Sequence, residues 1–557
     1  MNIFINSSVQ YENQKIKNAC FDTILLAIES NIKTRQEFLK IKKKICAKYS
    51  ISFITNPLLL RTYYELLENK KIKKNDNVFE LLRKRRIRTS SGIVSVALLT
   101  KPYHCKGKCI FCPTQKNTPK SYLSNEPAVM RAILANYDPI KQINIRLRGL
   151  ELAGNSANKI ELIIMGGTWS NLPKLYQLQY IISCYVACNN YKTTQQINEM
   201  RDFFNQKKSI KSLEKILIRE QRKNESSNYK IIGLTLETRP DCITKKELLW
   251  FRVLGCTRVE IGVQSIYDRI LNSNKRGHLV ARTIAATKIL KDAGFKINYH
   301  MMPNLFGSSI AQDQKMFQEI FSDSRYQPDM LKIYPCMVTK YSKLYSEYKK
   351  NNYIPLTDTE LIDLLVKIKK DIPFYVRIQR MIRDIPAESI IAGSRVSNLR
   401  QIIQNKYGKI CNCIRCREIR EFSQKKIHLH RFDYSASGGK EIFLEYIDKD
   451  NRIYGLLRLR IPSNIFNGNE HWISILNNCA IVREVHVFGQ VVQVGKKNNS
   501  KTQHKGLGKR LIEKAEEIVQ KEFKLNKIAV ISGIGVRAYY KKSGYSLRES
   551  YMVKKLK

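Results

Sequence analysis

Residues 104–112 read HCKGKCIFC, and they place Cys105, Cys109 and Cys112 in the spacing C-x3-C-x2-C directly after the apolar run Ile93–Leu99. Three thiolates can hold three irons of a four-iron, four-sulfur cluster and leave the fourth iron open. The amino and carboxylate groups of S-adenosylmethionine (SAM) can chelate that open iron. A zinc site with His104 as the fourth ligand is the alternative interpretation.

Short apolar runs alternate with longer helical patterns from about residue 93 to residue 380. This alternation predicts an α/β fold with a parallel sheet, either open or closed into a barrel, and chemistry at the carboxyl ends of its strands. The predicted strands are Ile93–Leu99, Ile160–Met165, Ile231–Leu236, Arg258–Val263, Phe295–Met301, Met330–Tyr334 and Phe374–Ile378.

Polar residues and glycines follow several of these strands and are candidates for binding SAM. The backbone of Gly166-Gly167-Thr168 offers groups for the amino end of SAM, and Glu237 can accept from a ribose hydroxyl or an ammonium. Gln264 and Ser265 add polar contacts at the next strand end. Taken alone, a Gly-Gly pair after a strand is more simply interpreted as an ordinary turn.

A second cysteine group, Cys411, Cys413 and Cys416, has the spacing C-x-C-x2-C. Thiolates this close together predict a structural zinc site that takes its fourth ligand from elsewhere in the chain. A second iron–sulfur cluster is the alternative. The candidates for the fourth ligand are Cys336, His428 and His430.

Residues 503–508 read QHKGLG and match the pattern Q-x-x-G-x-G ahead of a helical segment. Backbone amides in such a turn can face a pyrophosphate, and the dipole of the following helix assists. Strands are predicted on either side, at Ala480–Phe488 and Lys527–Ile531, and Tyr540 comes later. This order resembles the GNAT acetyltransferases, in which a tyrosine protonates the departing CoA thiolate. The final segment is therefore predicted to be an α+β acetyl-CoA-binding domain.

The charge balance favours a polyanionic partner. The 557 residues contain 98 Lys+Arg and 48 Asp+Glu, for a net charge of +50, which fits nucleic acid better than an anionic membrane. Two basic runs, Lys70–Lys74 and Arg83–Arg88, follow helical patterns at the start of the chain. No apolar run is long enough to span a membrane, and cysteine trios at metal spacing indicate a reducing compartment, so we expect a cytoplasmic protein.

With both motifs on one chain, the sequence resembles the Elongator catalytic subunit family, in its archaeal and bacterial single-chain form. The resemblance runs from about residue 85 to residue 557. Specific matches include Glu126-Pro127-Ala128, Tyr299–Pro303, Pro328–Pro335, Arg483–Val487 and Tyr551–Lys554. The sequence departs from the family pattern after Pro113, where Thr114-Gln115 replaces a Gly-Gly, and at Asn125, which replaces a glycine.

The resemblance implies four regions. These are a basic helical tRNA-binding segment at residues 1–88, a radical SAM partial (βα)6 barrel at 89–385, a zinc-binding linker at 386–430 and a GNAT domain at 431–557. The implied partner is tRNA. A homodimer is compatible with the resemblance, as are Elongator-type partner subunits in a eukaryotic host.

The implied reaction is carboxymethylation of C5 of the wobble uridine (U34) of tRNA, with acetyl-CoA as the carbon source. A 5′-deoxyadenosyl radical takes hydrogen from the acetyl methyl group, and the carbon radical adds to C5 to give 5-carboxymethyluridine. Tyr540 and Lys159 are the implied catalytic residues. The implied acetyl-CoA contacts are Lys159, Glu484, Val485, His486, Val487, Gly506, Leu507, Gly508, Lys509 and Tyr540.

Three other functions are compatible with parts of the sequence. A protein lysine acetyltransferase would use only the final domain. A radical SAM enzyme acting on a small molecule would use the barrel and keep the CoA domain as a regulator. An assembly subunit would have lost the chemistry, against which the intact cysteines and Tyr540 argue.

Overall fold

The computed structural model describes residues 14–82, 92–191, 209–420, 425–489 and 506–556. It divides into two compact units, Met1–Val94 with Asn144–Lys159, and Ser95–Ile143 with Ile160–Lys557. The basic run Arg83–Arg88 and residues 503–505 of the predicted pyrophosphate loop lie outside the described residues. None of the helices in the described part of the chain combines the length and apolar character that a membrane crossing requires.

The described N-terminal residues form helices, as predicted. Although a proline within a helical pattern predicts an interruption, Pro57 lies in the first turn of the third helix, where its missing N–H leaves no hydrogen bond unmade. The apolar faces of these helices pack into a core of their own, and the lysines of Lys70–Lys74 are exposed in the turn that follows the third helix. The helices are α1 (Gln14–Glu29), α2 (Arg35–Lys48), α3 (Asn56–Glu68) and α4 (Asp76–Leu82).

A seven-stranded sheet forms the centre of the next region, in the order β1-β2-β3-β4-β5-β6-β8. The pairs from β3 to β8 are parallel, and β1 and β8 are the two edges, so the barrel is open. A small pair, β7 with β9, lies outside it. The strands are β1 (Ile93–Leu99), β2 (Lys159–Met165), β3 (Lys230–Thr238), β4 (Arg258–Gln264), β5 (Lys296–Met301), β6 (Met330–Ile333), β7 (Val338–Thr339), β8 (Arg377–Arg380) and β9 (Ile390–Ala392).

The last strand of this sheet differs from the sequence prediction. It begins at Arg377, three residues after the predicted start at Phe374. The aromatic residue Tyr375 suggests a strand, but its ring stacks on Tyr434 at 4.1 Å between centroids. The Tyr375 ring therefore packs against the C-terminal sheet, and Tyr375 does not belong to the strand.

Helices connect the strands and cover the sheet, and several begin with a side-chain cap, as Lys245–Leu254 does with Thr244 and Ile310–Ser322 with Ser309. They are α5 (Pro127–Leu134), α6 (Pro139–Leu152), α7 (Lys174–Asn189), α8 (Ile210–Ser226), α9 (Lys245–Leu254), α10 (Asp268–Ser273), α11 (Val280–Asp292), α12 (Ile310–Ser322), α13 (Leu344–Lys349), α14 (Asp358–Lys370), α15 (Leu399–Tyr407) and α16 (Ile414–Arg417).

A second seven-stranded sheet, in the order β10-β11-β12-β13-β14-β16-β15, forms the C-terminal region. Its first strand, β10, is absent from the sequence prediction, since residues 427–430 fall in the predicted linker, yet they pair with β11. The strands are β10 (Ile427–Ala436), β11 (Gly439–Asp448), β12 (Ile453–Ile461), β13 (Ala480–Val487), β14 (Lys527–Val530), β15 (Ser546–Arg548) and β16 (Tyr551–Lys555). The helices are α17 (Ser463–Asn467), α18 (Leu507–Lys521) and α19 (Arg537–Lys541).

Candidate active site

The three-cysteine loop follows β1 and lies over two buried guanidinium groups. Arg276 Nη1 donates to Cys109 Sγ at 3.4 Å, and Arg239 Nη2 donates to the carbonyl of Arg276 at 2.8 Å. A hydrogen bond from Cys112 and the positive charges of both arginines lower the pKa of Cys109 to about 5. Gly107 allows the loop to pass this close, because a Cβ there would lie 2.5 Å from Arg239 Nη1.

These surroundings suit an anionic iron–sulfur cluster. Arg239 Nη1 is buried and has no hydrogen-bond partner among the described residues, which is costly unless a negative group faces it. The thiols of Cys105, Cys109 and Cys112 are not all within 4.8 Å of one another, whereas those of the second trio are. The tighter set suits a single metal ion.

Glycines and a carboxylate lie together at the carboxyl ends of β2 and β3. Gly166 and Gly167 have φ of +130° and +102°, which L side chains rarely adopt, and a Cβ on Gly166 would clash with Thr100. Both glycines and Glu237 line one narrow cleft. Thr168 Oγ1 lies 3.9 Å from Cys105 Sγ, so this cleft adjoins the cysteine loop.

Gln264 and Ser265 end β4 at the same edge of the sheet. Gln264 has φ of +70°, and its Oε1 is buried with no partner in the described part of the chain. The Ser265 hydroxyl accepts from the backbone N–H of Tyr267 at 3.3 Å, so it caps a turn. The predicted SAM residues therefore converge on one edge, and their role in binding SAM stays a prediction.

A cationic cavity of about 400 Å³ opens beside Cys109 and Cys112. Its position next to the cysteine loop and its positive charge suit an anionic substrate. Four lysines line it: Lys108, Lys120, Lys340 and Lys343.

Sequence reasoning missed a charged cluster inside the barrel. Glu260 on β4 is fully buried and contacts His300 Nε2 on β5 at 2.8 Å and the Lys332 ammonium on β6. Lys332 also lies 3.5 Å from Glu237. The available signal was charged residues in the middle of otherwise apolar strands, because burying a charge is costly and buried ionisable groups often mark functional sites.

The second cysteine trio forms a compact group. The sulfurs of Cys411, Cys413 and Cys416 all lie within 4.8 Å of one another, close to the ~3.8 Å edge that Zn–S bonds of 2.3 Å give in a tetrahedron. None of the predicted fourth ligands joins them: His430 Nδ1 pairs with Glu445 at 3.0 Å, Cys336 packs in the core beside Cys109, and His428 is exposed. Among the described residues, no fourth protein ligand completes the group.

The predicted acetyl-CoA residues lie where two strands of the second sheet part. β13 pairs with β14 only along Ala480–Val482, so Glu484–Val487 continue beside β12 alone and leave an opening. Helix α18 begins at Leu507 after Gly506, which has φ of +69°. A Cβ on Gly508 would lie 2.8 Å from Tyr539 Oη, so Tyr539 closes over this turn.

Tyr540 is 6% exposed, with its ring edge-on to Tyr539 at 5.2 Å and to Tyr545 at 5.9 Å. Burial, together with the charge of Glu484, raises the pKa of the Tyr540 phenol, so it keeps its proton and can act only as a donor at neutral pH. Burial also lowers the pKa of Lys159, the first residue of β2.

Glu484 and His486 differ in ionisation: the carboxylate is charged and the imidazole is neutral. Although burial alone would raise the pKa of Glu484, Lys296 at 3.2 Å and Arg458 at 2.9 Å hold that pKa well below its usual range. Burial lowers the pKa of His486 to about 4, so its imidazole is neutral, and it stacks on Phe488 at 4.2 Å. Glu484 is thus a fixed anion and a weak base.

The second sheet packs against the amino ends of the barrel strands. Lys296 is the first residue of β5, and Arg483 Nη1 donates at 3.0 Å to Asp329, the residue before β6. Arg458 Nη2 donates at 2.6 Å to the carbonyl of Tyr375, just before β8. The cysteine loop follows the opposite ends, so the two predicted reaction centres are separated by about one strand length, ~20 Å for six residues.

Comparison with known proteins identifies the family. Residues 99–319 match the Radical SAM superfamily and residues 328–409 match the Radical_SAM C-terminal domain. This confirms the predicted fold and supports a four-iron cluster and SAM as cofactors.

The relatives match over nearly the whole chain. The tRNA uridine(34) acetyltransferase of Methanocaldococcus jannaschii is 40% identical, with 94% of each chain covered. Elongator complex protein 3 of Homo sapiens is 36% identical, with 93% of each chain covered. The solved archaeal Methanocaldococcus infernus Elp3 with an N-terminal deletion is 37% identical, with a TM-score of 0.69, and covers 84% of this chain and 100% of that one. The chain therefore belongs to the Elongator catalytic subunit family, together with the tRNA uridine(34) acetyltransferases and Elongator complex protein 3.

Proposed function

We propose that this protein attaches a carboxymethyl group to C5 of the wobble uridine of tRNA, with acetyl-CoA as the carbon donor and SAM as the radical source. The names of its relatives support tRNA uridine 34 as the substrate and an acyltransferase activity. The net charge of +50 and the four lysines of the cavity beside the cysteines are consistent with an RNA substrate.

The observation that carries the proposal is the ion pair between Lys296 and Glu484. It joins a barrel strand to the strand where the acetyl-CoA contacts are predicted, in one compact unit. A regulatory CoA domain could make such a contact. A substrate shared by the barrel and the C-terminal sheet explains, in addition, why the barrel has the cysteine loop and the C-terminal sheet has Tyr540.

In this proposal, Cys105, Cys109 and Cys112 hold the cluster, and Arg239 and Arg276 balance its charge. When bound, the cluster supplies the electron that cleaves SAM. Gly166, Gly167 and Glu237 bind SAM at the strand ends. Each of these groups is already adjacent to another in the structure, so little rearrangement is required.

At the second sheet, Tyr540 holds the proton that the departing CoA sulfur requires. Val485 and Val487 present backbone groups at the opening beside β13, while Leu507 and Lys509 start the helix that faces the pyrophosphate. The zinc site at Cys411, Cys413 and Cys416, the domain boundaries at residues 88, 385 and 430, and RNA binding by the N-terminal helices are parts of the same proposal.

A protein lysine acetyltransferase fits these residues less well. Such an enzyme needs a base to deprotonate the lysine amine, and Glu484 on β13 is the carboxylate in position to serve. Its two cationic partners, Lys296 and Arg458, keep it ionised and make it a poor proton acceptor.

The test uses acetyl-CoA with a trideuterated methyl group, SAM, a low-potential reductant and tRNA that lacks the modification. We expect deuterium in 5′-deoxyadenosine and two deuterons in the carboxymethyl group of the modified uridine, by mass spectrometry of digested tRNA. Cys109→Ala should abolish both signals, and Tyr539→Phe is a matched aromatic control for Tyr540→Phe. Label in protein lysines would support the acetyltransferase alternative, and deuterated 5′-deoxyadenosine that forms equally without tRNA would support a small-molecule substrate.

A further inference from the structure

His300 and Glu260 form a hydrogen-bonded pair inside the barrel. Glu260 has no exposed surface, and its Oε2 lies 2.8 Å from Nε2 of His300. An ionised carboxylate only accepts hydrogen bonds, so Nε2 must be the protonated nitrogen. In the neutral form of the imidazole, Nδ1 is then the nitrogen with the free lone pair.

His300 lies near the edge of the sheet at which the predicted SAM residues converge. His300 is the residue before the end of β5, at the same edge of the sheet as Glu237 and Gln264. Its side chain is 15% exposed, and the hydrogen bond that its ring makes among the described residues is the one from Nε2 to Glu260. The Tyr334 ring stands edge-on to the imidazole at 5.5 Å and limits its rotation.

Two neighbours of His300, Lys332 and Glu260, are unsuited to accept the proton themselves. Although burial alone would lower the pKa of Lys332, Glu260 and Glu237 raise it, so Lys332 stays protonated. Glu260 is fully buried and holds both Lys332 and His300. Glu237, Glu260 and His300 are close enough together to suggest a metal, but the Lys332 ammonium already supplies the cation between the two carboxylates.

The proposed reaction needs a base at this edge. When the acetyl-derived carbon radical bonds to C5 of uracil, C5 keeps its hydrogen and the unpaired electron moves to C6. The C5=C6 double bond returns only when C5 loses that hydrogen as a proton and one electron leaves. The C–H electron pair and the unpaired electron then supply the double bond and the departing electron, which passes to a one-electron acceptor of the iron–sulfur or flavin class.

We propose that His300, held by Glu260, is the general base that takes the C5 proton of the uracil ring at Nδ1. This inference rests on the proposed function. General bases of this kind contribute about 10²–10⁴-fold to a rate. The role of Glu260 is to orient the imidazole and to stabilise it once it has gained the proton.

The test compares wild type, His300→Gln and Glu260→Gln on tRNA transcribed with 5-deuterated uridine. Glutamine at position 300 can still donate to Glu260 but cannot accept the proton. We expect His300→Gln still to form 5′-deoxyadenosine. Its rates of product formation and of deuterium release should both fall by at least about 100-fold. The rates of product formation and deuterium release in Glu260→Gln should lie between those of wild type and His300→Gln. The rates in the surface variant Glu319→Gln should match those of wild type. Imidazole added to His300→Ala should restore part of the product.

A measurement on the resting protein with its cluster, without SAM or tRNA, is independent of turnover. Two-bond ¹H–¹⁵N spectra should show the Nε2–H tautomer for His300. The Nδ1–H tautomer would overturn the inference, as would product and deuterium release at the wild-type rate in His300→Gln. Loss of 5′-deoxyadenosine together with product in His300→Gln, with no rescue of His300→Ala by imidazole, would also overturn it, by showing a structural role. A wild-type protein that never forms the modified uridine would instead remove the proposed function and this inference with it.

Discussion

Lys296 Nζ lies 3.2 Å from Glu484 Oε1, so the first residue of a barrel strand pairs with the strand that carries the predicted acetyl-CoA contacts. The two side chains are 188 positions apart in the chain, and both are largely buried. Arg458 completes the arrangement from β12 at 2.9 Å. This pair links the amino end of the barrel to the opening between β13 and β14.

Replacing Lys296 with methionine should weaken both the fold and acetyl-CoA binding. Glu484 would remain buried with Arg458 as its single strong partner, so we expect a loss of about 2 kcal/mol in the free energy of unfolding. Urea denaturation and calorimetric titration with acetyl-CoA measure the two effects. Lys315→Met is the control, because the Lys315–Glu319 pair is on the surface and should contribute less than about 1 kcal/mol. Equal effects of the two variants would contradict the prediction.

Tyr540→Phe should leave the fold intact and slow acetyl-CoA hydrolysis by about 10²-fold or more, because the ring contacts remain and only the proton donor is removed. The raised pKa of Tyr540 also sets the pH dependence: the phenol stays protonated to beyond about pH 10, the ordinary pKa of tyrosine, so this group should impose no loss of activity on the basic side below that pH. Tyr539→Phe, measured alongside, should retain most of the activity. A wild-type rate for Tyr540→Phe would assign the proton to another group.

The two cysteine groups should hold different metals. Cys109→Ala should lose most of the iron and the visible absorbance of the cluster while keeping zinc, and Cys411→Ala should show the reverse. Metal analysis of anaerobically purified protein measures both in the same sample. The reason is spacing, since only the 411–416 group has its sulfurs close enough for one tetrahedral ion. Iron in both groups would support the second-cluster interpretation.

Gly166→Ala should weaken SAM binding at least about tenfold, because a Cβ would clash with Thr100 and the backbone has φ of +130°. Equilibrium binding of SAM to the reconstituted protein measures it. Gly149→Ala is the matched control: Gly149 lies in α6, and a Cβ there meets nothing within 4 Å. That variant should gain about 0.5–1 kcal/mol in stability with unchanged SAM affinity.

Replacing Lys70, Lys71, Lys73 and Lys74 with glutamine should weaken tRNA binding and flatten its dependence on salt. All four are exposed, so the fold should be unaffected. For every phosphate that these side chains neutralise in the wild-type complex, the slope of log K against log salt should become shallower by about 0.7–0.9 in the variant. Filter binding over a range of about 50 to 200 mM salt checks this. An unchanged slope would show that these lysines form an ordinary solvated surface.

Several features could be predicted because they depend on neighbours in the sequence. Six of the seven barrel strands begin within one residue of their expected positions, since short apolar runs between helical patterns are a local signal. The β8 strand starts later than predicted because Tyr375 packs on Tyr434 of another sheet, and β10 escapes prediction because it alternates polar and aromatic residues beside the predicted linker. The pattern of neighbouring residues does not predict contacts with residues far away in the chain.

By itself, the sequence determined which residues are candidates for the chemistry: two cysteine groups, glycine turns after strands and a late tyrosine are each recognised from spacing over a few residues. Tertiary structure alone decided how these parts are related. It placed the second sheet at the amino ends of the barrel strands, paired Lys296 with Glu484, and brought Glu260, His300 and Lys332 together from three strands. Such contacts join residues far apart in the chain, and they are set by which faces pack together, which no local pattern encodes.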